Sequence, residues 1–363
     1  MHALIFQGPD GAGLQERPLP EIRAADDVRV DVVGTGICGT DRKILLGHFP
    51  ARPGVVLGHE SVGLVAEVGA GVRSLRVGDR VVVNPTLYCG TCRPCGRGAT
   101  NHCLHKAGTE VGVDRDGTYA ASVVLPERFV ERVPEGLPFR SAVLIEPLAC
   151  VLNNVEAAQV GFGDAVAVLG AGPIGTLTAV VAARAARRVV LADTDAYRAE
   201  TAAGLTDHVL HLTGDDPVKA MVKELAGTRP DVVFETTGSG LETALELVAD
   251  GGRIVVMGFD DTYTARLRPL RLTNHGIRII GAGDYRADTF QVAVELAGEL
   301  GADLGRLVTH ELPLDAYPRA FGILGGIGGG DVPGSGASGY RAMKVVLRSD
   351  VRPAGADGWP VSA

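Results

Sequence analysis

The sequence predicts an α/β protein in which a β-rich N-terminal domain precedes a doubly wound parallel sheet. Three observations carry the prediction. Val28–Val33, Val62–Val68 and Val77–Val83 are short β-like runs, alternating or Val-rich, bounded by Gly and Asp. From about Gly163 onward the pattern changes, and Val166–Leu169, Val189–Ala192, Val232–Phe234, Arg253–Met257 and Ile277–Gly281 alternate with helical stretches, as parallel strands and their crossovers do. Between the first two of these, an apolar strand runs through Gly170-Ala-Gly-Pro-Ile-Gly175 into an apolar helix.

Each residue of that glycine turn has a physical task. Gly170 permits the sharp turn off the strand, Gly172 lacks the Cβ that would block a pyrophosphate, and Gly175 lets the helix approach the sheet. The helix entered at Pro173 and Ile174 then presents free N–H groups and its positive dipole end to phosphate. Asp193, ending the second strand, is placed to accept hydrogen bonds from both hydroxyls of an adenosine ribose. That favours NAD over NADP, whose 2′-phosphate would meet like charge, although Arg198 keeps NADP in contention. A glycine turn alone is common in α/β proteins that bind nothing; the flanking strand, helix and carboxylate separate this one from that background.

The chain has 363 residues, enough for two domains with ample cores. Its net charge is -8 and no basic run occurs, which argues against nucleic acid as a partner. The N-terminal Met1-His-Ala-Leu-Ile-Phe-Gln lacks the basic and apolar regions of a secretory signal. The longest apolar stretch is interrupted by Gly170, Gly172, Pro173 and Gly175, so it reads as a βα unit, not a membrane span, and a cytoplasmic chain is expected. Toward the C-terminus the reading is an amphipathic helix at Thr289–Leu300, a glycine-rich surface loop over 325–339, a strand-like return at Ala342–Leu347 and a frayed tail after Asp350.

Four of the six cysteines form one cluster, Cys89-Gly-Thr-Cys92-Arg-Pro-Cys95 with Cys103 close behind. Such short spacings let thiolates share one tetrahedral ion, and a closed four-thiolate shell would make its zinc structural. Cys38 lies in the turn-rich Gly36-Ile-Cys-Gly-Thr-Asp41, and His59 in Gly58-His-Glu60. Cys, His and a carboxylate are the ligand types of a catalytic zinc that keeps one position open. Taken singly each is ordinary, a small core thiol or a lone polar ring. Their company, the cysteine cluster and the glycine turn, gives them significance.

On these motifs, together with Glu146-Pro-Leu148, nearly the whole chain resembles the zinc-dependent medium-chain dehydrogenases of the alcohol/polyol dehydrogenase superfamily. The resemblance implies a GroES-like catalytic domain from 1–153 and 287–363, with a structural zinc lobe at about 84–106, and a Rossmann coenzyme domain over 154–286. It implies two zinc ions per chain. The catalytic one would take Cys38, His59 and, by position, Glu146, with Glu60 able to replace or exchange with Glu146; Cys150 is read as a buried bystander. Thr40 matches the family's hydroxyl relay, but Lys43 stands where many members have a histidine, so water, His48 or Glu60 would take the proton onward.

The expected reaction is hydride transfer from a secondary hydroxyl of a polyol, sugar or (amino)cyclitol, with Asp41, Asn84 and Glu110 as candidate hydroxyl partners. Threonine or another amino alcohol is the nearest alternative substrate, and a non-catalytic NAD(H)-binding sensor is the alternative of another class. A homodimer or homotetramer paired through the Ile277–Gly281 edge is also implied.

Overall fold

The computed structural model describes residues 1–8, 11–214, 216–258, 260, 262–325 and 341–350. The chain divides into a unit of Met1–Glu146 with Arg286–Ala363 and a unit of Pro147–Tyr285.

The first unit opens with β1 (His2–Phe6), β2 (Ala12–Glu16), β3 (Asp27–Gly36), α1 (Gly39–Leu45), β4 (Glu60–Val68), β5 (Arg80–Val83), β6 (Ser122–Pro126), β7 (Val130–Arg132) and α2 (Phe139–Ala142). β3 is its spine, paired antiparallel with both β4 and β6. Val28, Val30 and Val32 of β3 point into one core with Val65, Val81, Val83, Val123, Leu125 and Phe129, the period-two burial of a strand with an apolar face. Register shifts between Arg29 and Val30 and between Val32 and Gly34 bend β3 where it meets β4. Gly63 sits inside this bend, and a Cβ there would lie 2.3 Å from the Asp31 carbonyl oxygen.

The second unit begins within α3 (Ile145–Ala158) and comprises β8 (Ala165–Leu169), α4 (Pro173–Ala182), β9 (Arg188–Asp193), α5 (Ala196–Ala203), β10 (Val209–His211), α6 (Pro217–Glu224), β11 (Val232–Glu235), α7 (Leu241–Leu247), β12 (Arg253–Val256), α8 (Pro269–His275) and β13 (Arg278–Ile280). Its strands are all parallel, in the order β10-β9-β8-β11-β12-β13. β8 is buried along its whole length, with Ala165, Ala167 and Leu169 in one core and Val166 and Val168 in another. Helices on both faces account for that unbroken apolar run. β13 is an edge strand among the described residues, with Ile279 exposed.

The chain then returns to the first unit through α9 (Ala287–Leu300), β14 (Val308–Pro313), α10 (Tyr317–Ile323) and β15 (Lys344–Arg348). β15 pairs parallel with β14 and antiparallel with β3, setting Val346 opposite Gly36. On its other side Gly36 faces Glu60 of β4.

The sequence reading missed β14 and α10. It also started the third strand too early: Val77 is exposed beside the left-handed Gly78, and pairing begins only at Arg80. The glycine-rich loop from residue 326 onward and the tail after Asp350 lie outside the described residues. Among the described residues no helix is long and apolar enough to cross a membrane.

Gly175 illustrates how closely α4 packs on the sheet. A Cβ there would fall 1.8 Å from the Gly170 carbonyl oxygen and 2.9 Å from Thr236 Oγ1. Gly175→Ala should therefore cost about 1–3 kcal/mol through forced backbone movement, seen as a lower urea midpoint; an unchanged midpoint would contradict this packing.

Candidate metal and cofactor sites

The first site forms where β3 ends and β4 begins. Cys38 is the residue before α1, and its backbone N–H donates to Asp41 Oδ2 at 2.9 Å, so the helix start holds the thiol in place. The donor atoms of Cys38, His59 and Glu60 all lie within 4.8 Å of one another. Thiolate, imidazole and carboxylate suit zinc.

Asp41 is 0% exposed. Its Oδ2 also accepts from the Tyr119 hydroxyl at 2.8 Å, while Oδ1 faces His59 Nδ1 at 3.6 Å. That distance is long for a hydrogen bond, and both facing atoms are buried without a hydrogen-bond partner among the described residues. A metal held by the other ring nitrogen would fix the tautomer whose Nδ1–H points at Asp41, the usual way a carboxylate supports a metal-bound histidine. The orphaned pair thus fits a metal at His59. It also corrects the expectation that Asp41 contacts substrate: the carboxylate is sealed beneath the histidine by Cys38 and Tyr119.

Glu60, expected as an alternative metal ligand, is gathered with Cys38 and His59 and is also paired with a lysine. Lys344 Nζ donates to Glu60 Oε1 at 2.8 Å, to Oε2 at 2.6 Å and to the Ile37 carbonyl at 3.2 Å. Glu146, in the first turn of α3, is buried and its charge acts on both His59 and Lys344, but it is not in the group gathered within 4.8 Å. Cys150 is partly buried and belongs to neither donor group. Thr40 Oγ1 lies 3.6 Å from Cys38 Sγ. Of the expected onward acceptors, His48 is exposed on the turn after α1 and Glu60 is bound to Lys344; Lys43 is half-buried on α1.

Asn84 and Glu110 are engaged in local structure. Asn84 is buried, its Oδ1 accepting from Thr86 N at 3.1 Å, and Glu110 pairs with Lys106 at 3.3 Å. Lys344 and Tyr119 are the residues that sequence reasoning passed over. Neither belongs to a motif: Lys344 reaches the site through the pairing of β15, and Tyr119 from a bend whose backbone bonds to Leu4 and Leu57.

Burial disfavours the His59 imidazolium, but Asp41 and Cys38, with Glu146, outweigh it and hold the His59 pKa well above its ordinary value. Burial likewise raises Asp41, partly offset by His59 and by the hydrogen bonds from Cys38 and Tyr119. The pair therefore keeps a proton, on His59, that metal binding must displace.

The cysteine lobe is a second donor group, with Cys89, Cys92, Cys95 and Cys103 within 4.8 Å of one another. All four are free thiols, with Cys92 Sγ 3.4 Å from Cys95 Sγ and 3.9 Å from Cys103 Sγ. A disulfide would need about 2.05 Å, whereas the edge of a tetrahedron with Zn–S of 2.3 Å is about 3.8 Å. Backbone N–H groups of Thr91, Cys92, Leu104 and His105 point at the sulfurs and support negative charge there. The backbone and hydroxyl of Thr91, with Cys92, lower the Cys89 pKa to about 5, while burial and the adjacent Cys92 push Cys95 up to about 12. An ion is what would let all four ionise together.

In the second unit, Gly170 adopts φ +99°, and a Cβ on it would meet Thr236 Oγ1 at 2.8 Å. Gly172, before α4, has open space where a Cβ would stand, and Pro173 begins the helix with Ile174 half-buried behind it. Asp193 Oδ2 accepts from Ala171 N at 2.7 Å and Oδ1 from Asp195 N at 2.8 Å, tying the end of β9 to the glycine turn. Each oxygen retains a lone pair for a ribose hydroxyl. Arg198 lies in the first turn of α5, its N–H capped by Asp195 and its Nε buried without a hydrogen-bond partner among the described residues.

Two outcomes follow from the first site. Asp41→Asn should weaken zinc retention by about 10–100-fold in chelator competition, and an unchanged affinity would remove Asp41 from its supporting role. In the metal-free chain, the raised His59 pKa stabilises fully below 6.5 and that contribution fades as pH rises through the folded value. Zinc uptake has the opposite sense: it should strengthen with rising pH and release protons, which calorimetry in buffers of different ionisation enthalpy would detect.

Residues 24–135 match the alcohol dehydrogenase GroES-like domain and residues 173–299 the zinc-binding dehydrogenase family. The chain is 31% identical over 329 residues to sorbitol dehydrogenase of Halalkalibacterium halodurans, covering 88% of this chain and 95% of that one. Among solved structures, a zinc-binding dehydrogenase of Sinorhizobium meliloti bound to NADP superposes with a TM-score of 0.84 at 28% identity, covering 96% of this chain and 98% of that one. An alcohol dehydrogenase of Escherichia coli complexed with NADH superposes with a TM-score of 0.83 at 30% identity, covering 96% and 99%. With these likenesses over nearly its full length, beside two gathered zinc-type donor sets and a dinucleotide turn, the chain belongs to the zinc-dependent medium-chain alcohol/polyol dehydrogenases.

Proposed function

We propose that the protein oxidises a secondary hydroxyl of a polyol or sugar to a ketone, or reduces the ketone, with NAD as coenzyme. The observation that carries this reading is the Cys38–His59 donor pair backed by Asp41 and flanked by Glu146 and Thr40. Zinc at this site supplies Lewis acidity toward the hydroxyl, and the nicotinamide supplies a hydride acceptor.

The chain's own residues do the rest. Cys38 and His59 would hold the metal with Glu146 or, in its place, Glu60 of the gathered donor group, and Asp41 would keep the His59 ring in its tautomer. Thr40, beside the thiol, takes the hydroxyl proton outward as the carbon gives up hydride, so one proton and one hydride leave the alcohol in balance. Gly172 and the start of α4 receive the pyrophosphate, and Asp193 receives the ribose hydroxyls. A 2′-phosphate beside Asp193 would meet like charge, which supports NAD, whereas Arg198 is the residue that would favour NADP. Cys89, Cys92, Cys95 and Cys103 would hold a structural zinc with no open position.

The polyol class is supported by the likeness to sorbitol dehydrogenase and by a carboxylate, Glu146, in the third ligand's place. The exposed edge of β13 supports a homodimer built by pairing these strands, to be tested by light scattering of an Ile279→Lys variant. The chain is proposed to act in the cytoplasm.

The deciding assay follows NADH absorbance with zinc-loaded protein and glucose, sorbitol, myo-inositol, an aminocyclitol, threonine and butanediol, each with NAD and NADP. Turnover of a polyhydroxylated substrate with NAD, abolished by Cys38→Ser and shifted toward NADP by Asp193→Ala, is the expected result. Turnover of threonine alone would move the substrate to the amino alcohols. No turnover, with NADH bound but only one zinc per chain, would leave a non-catalytic binder.

A further inference from the structure

The chain crosses between its two units twice, once inside α3 between Glu146 and Pro147 and once between Tyr285 and Arg286. The Cys38 donor group lies in the first unit and the dinucleotide turn in the second, so the crossings are the covalent links between the two halves of the proposed reaction. The first is stiffened by the backbone hydrogen bonds of α3. The second runs through non-repetitive backbone between β13 and α9, with Gly283 in the left-handed region.

Single side chains hold the second crossing on either side. Within the second unit, Asn153 Nδ2 donates to the carbonyls of Ala282 at 3.2 Å and Asp284 at 3.1 Å. Within the first, the Thr100 hydroxyl oxygen accepts from the Ala287 N–H at 2.8 Å. That N–H belongs to the opening turn of α9, whose first donors have no partner inside the helix. A helix commonly caps itself, but the cap position is Arg286, which makes no side-chain capping bond. A hydroxyl 187 positions away serves instead.

Thr100 is tied to the cysteine lobe. Its carbonyl accepts from the Cys103 N–H at 3.0 Å, and the Cys103 sulfur accepts from the N–H groups of Cys89 and His105. Thr100 and Cys103 are 8% and 7% exposed, so water competes little for these bonds. The regular structure of the lobe amounts to two short helical turns, Cys95–Arg97 and Thr100–His102. An ion that fixes Cys103 among the four sulfurs therefore also fixes the turn that carries the Thr100 hydroxyl.

We propose that Thr100 is a positioning residue through which zinc in the cysteine lobe holds the second crossing in place, giving that zinc a role outside its own lobe. The inference rests on the reading that Cys89, Cys92, Cys95 and Cys103 bind zinc.

The test follows amide hydrogen exchange by mass spectrometry in the full zinc-loaded chain, reading peptides over 286–290 with peptides of β8 as internal reference and zinc counted per chain. Thr100→Val, which keeps the shape but removes the hydroxyl, should speed exchange over 286–290 about fivefold with zinc content unchanged, and Thr100→Ser should restore the parental rate. Cys89→Ser, with the lobe's zinc lost, should speed the same peptides by a similar factor. The double variant should exchange no faster than either single one, the non-additivity expected of groups on one path. Parental exchange from Thr100→Val overturns the proposal, as does parental exchange from Cys89→Ser with its zinc gone, or a double variant whose effects multiply. Should Cys89→Ser fail to fold by circular dichroism, chelator stripping replaces it: stripping should speed the parent and leave Thr100→Val nearly unchanged, and equal acceleration of both overturns the proposal. Parental zinc content in Cys89→Ser would instead overturn the zinc reading, a failure that the Thr100→Val arm, which needs no change in zinc, tells apart.

Discussion

The pairing of Gly36 with Glu60 on one side and Val346 on the other is the constraint on which the first unit's site depends. Three strands from distant parts of the chain meet there. β3 delivers Cys38 just past its end, β4 opens with Glu60 directly after His59, and β15 brings Lys344. Because side chains alternate along a strand, a slip of one residue in any of these pairings would turn Glu60 or Lys344 away. The bends in β3 and the missing Cβ at Gly36 and Gly63 let the strands approach closely enough.

The charge inventory explains why such a junction would serve a metal. Cys38, Asp41, Glu60 and Glu146 are potential anions acting on one buried region, and Lys344 and His59 are the cations set against them. Isolated anions are costly to bury, and the metal-free protein answers by keeping a proton on His59. A divalent ion can take over that role. The raised histidine, the orphaned facing atoms of Asp41 and His59 and the full pairing of Glu60 with Lys344 are thus different responses to one excess of buried negative charge.

The two donor groups differ in a way that separates structure from chemistry. The cysteine lobe draws four thiols from one short segment, so local turns suffice to assemble it, and its backbone N–H groups are aimed at sulfur. The Cys38 group mixes ligand types and keeps a hydroxyl, Thr40, beside the thiol. In the second unit the parallel sheet does comparable work with fewer groups: glycines clear the approach to the start of α4, and one carboxylate joins two strand ends.

Local patterns were enough for the strand rhythm of the second unit, the glycine turn, Asp193 and the four-cysteine cluster, because each depends on residues a few positions apart whose spacing sets their geometry. Even the start of β5 follows from a local fact, the left-handed Gly78, that the apolar run Val77–Val83 obscured. The roles of Asp41, Glu60, Lys344 and Tyr119 were decided only by tertiary structure. A carboxylate reads the same in sequence whether it meets solvent, substrate or a buried lysine 284 positions away, and only sheet register and burial choose among them. Sequence by itself determined which chemical groups the protein carries and the class of fold that holds them. The three-strand junction decided which of those groups face one another, because burial converts proximity into a defined charge and hydrogen-bond partner.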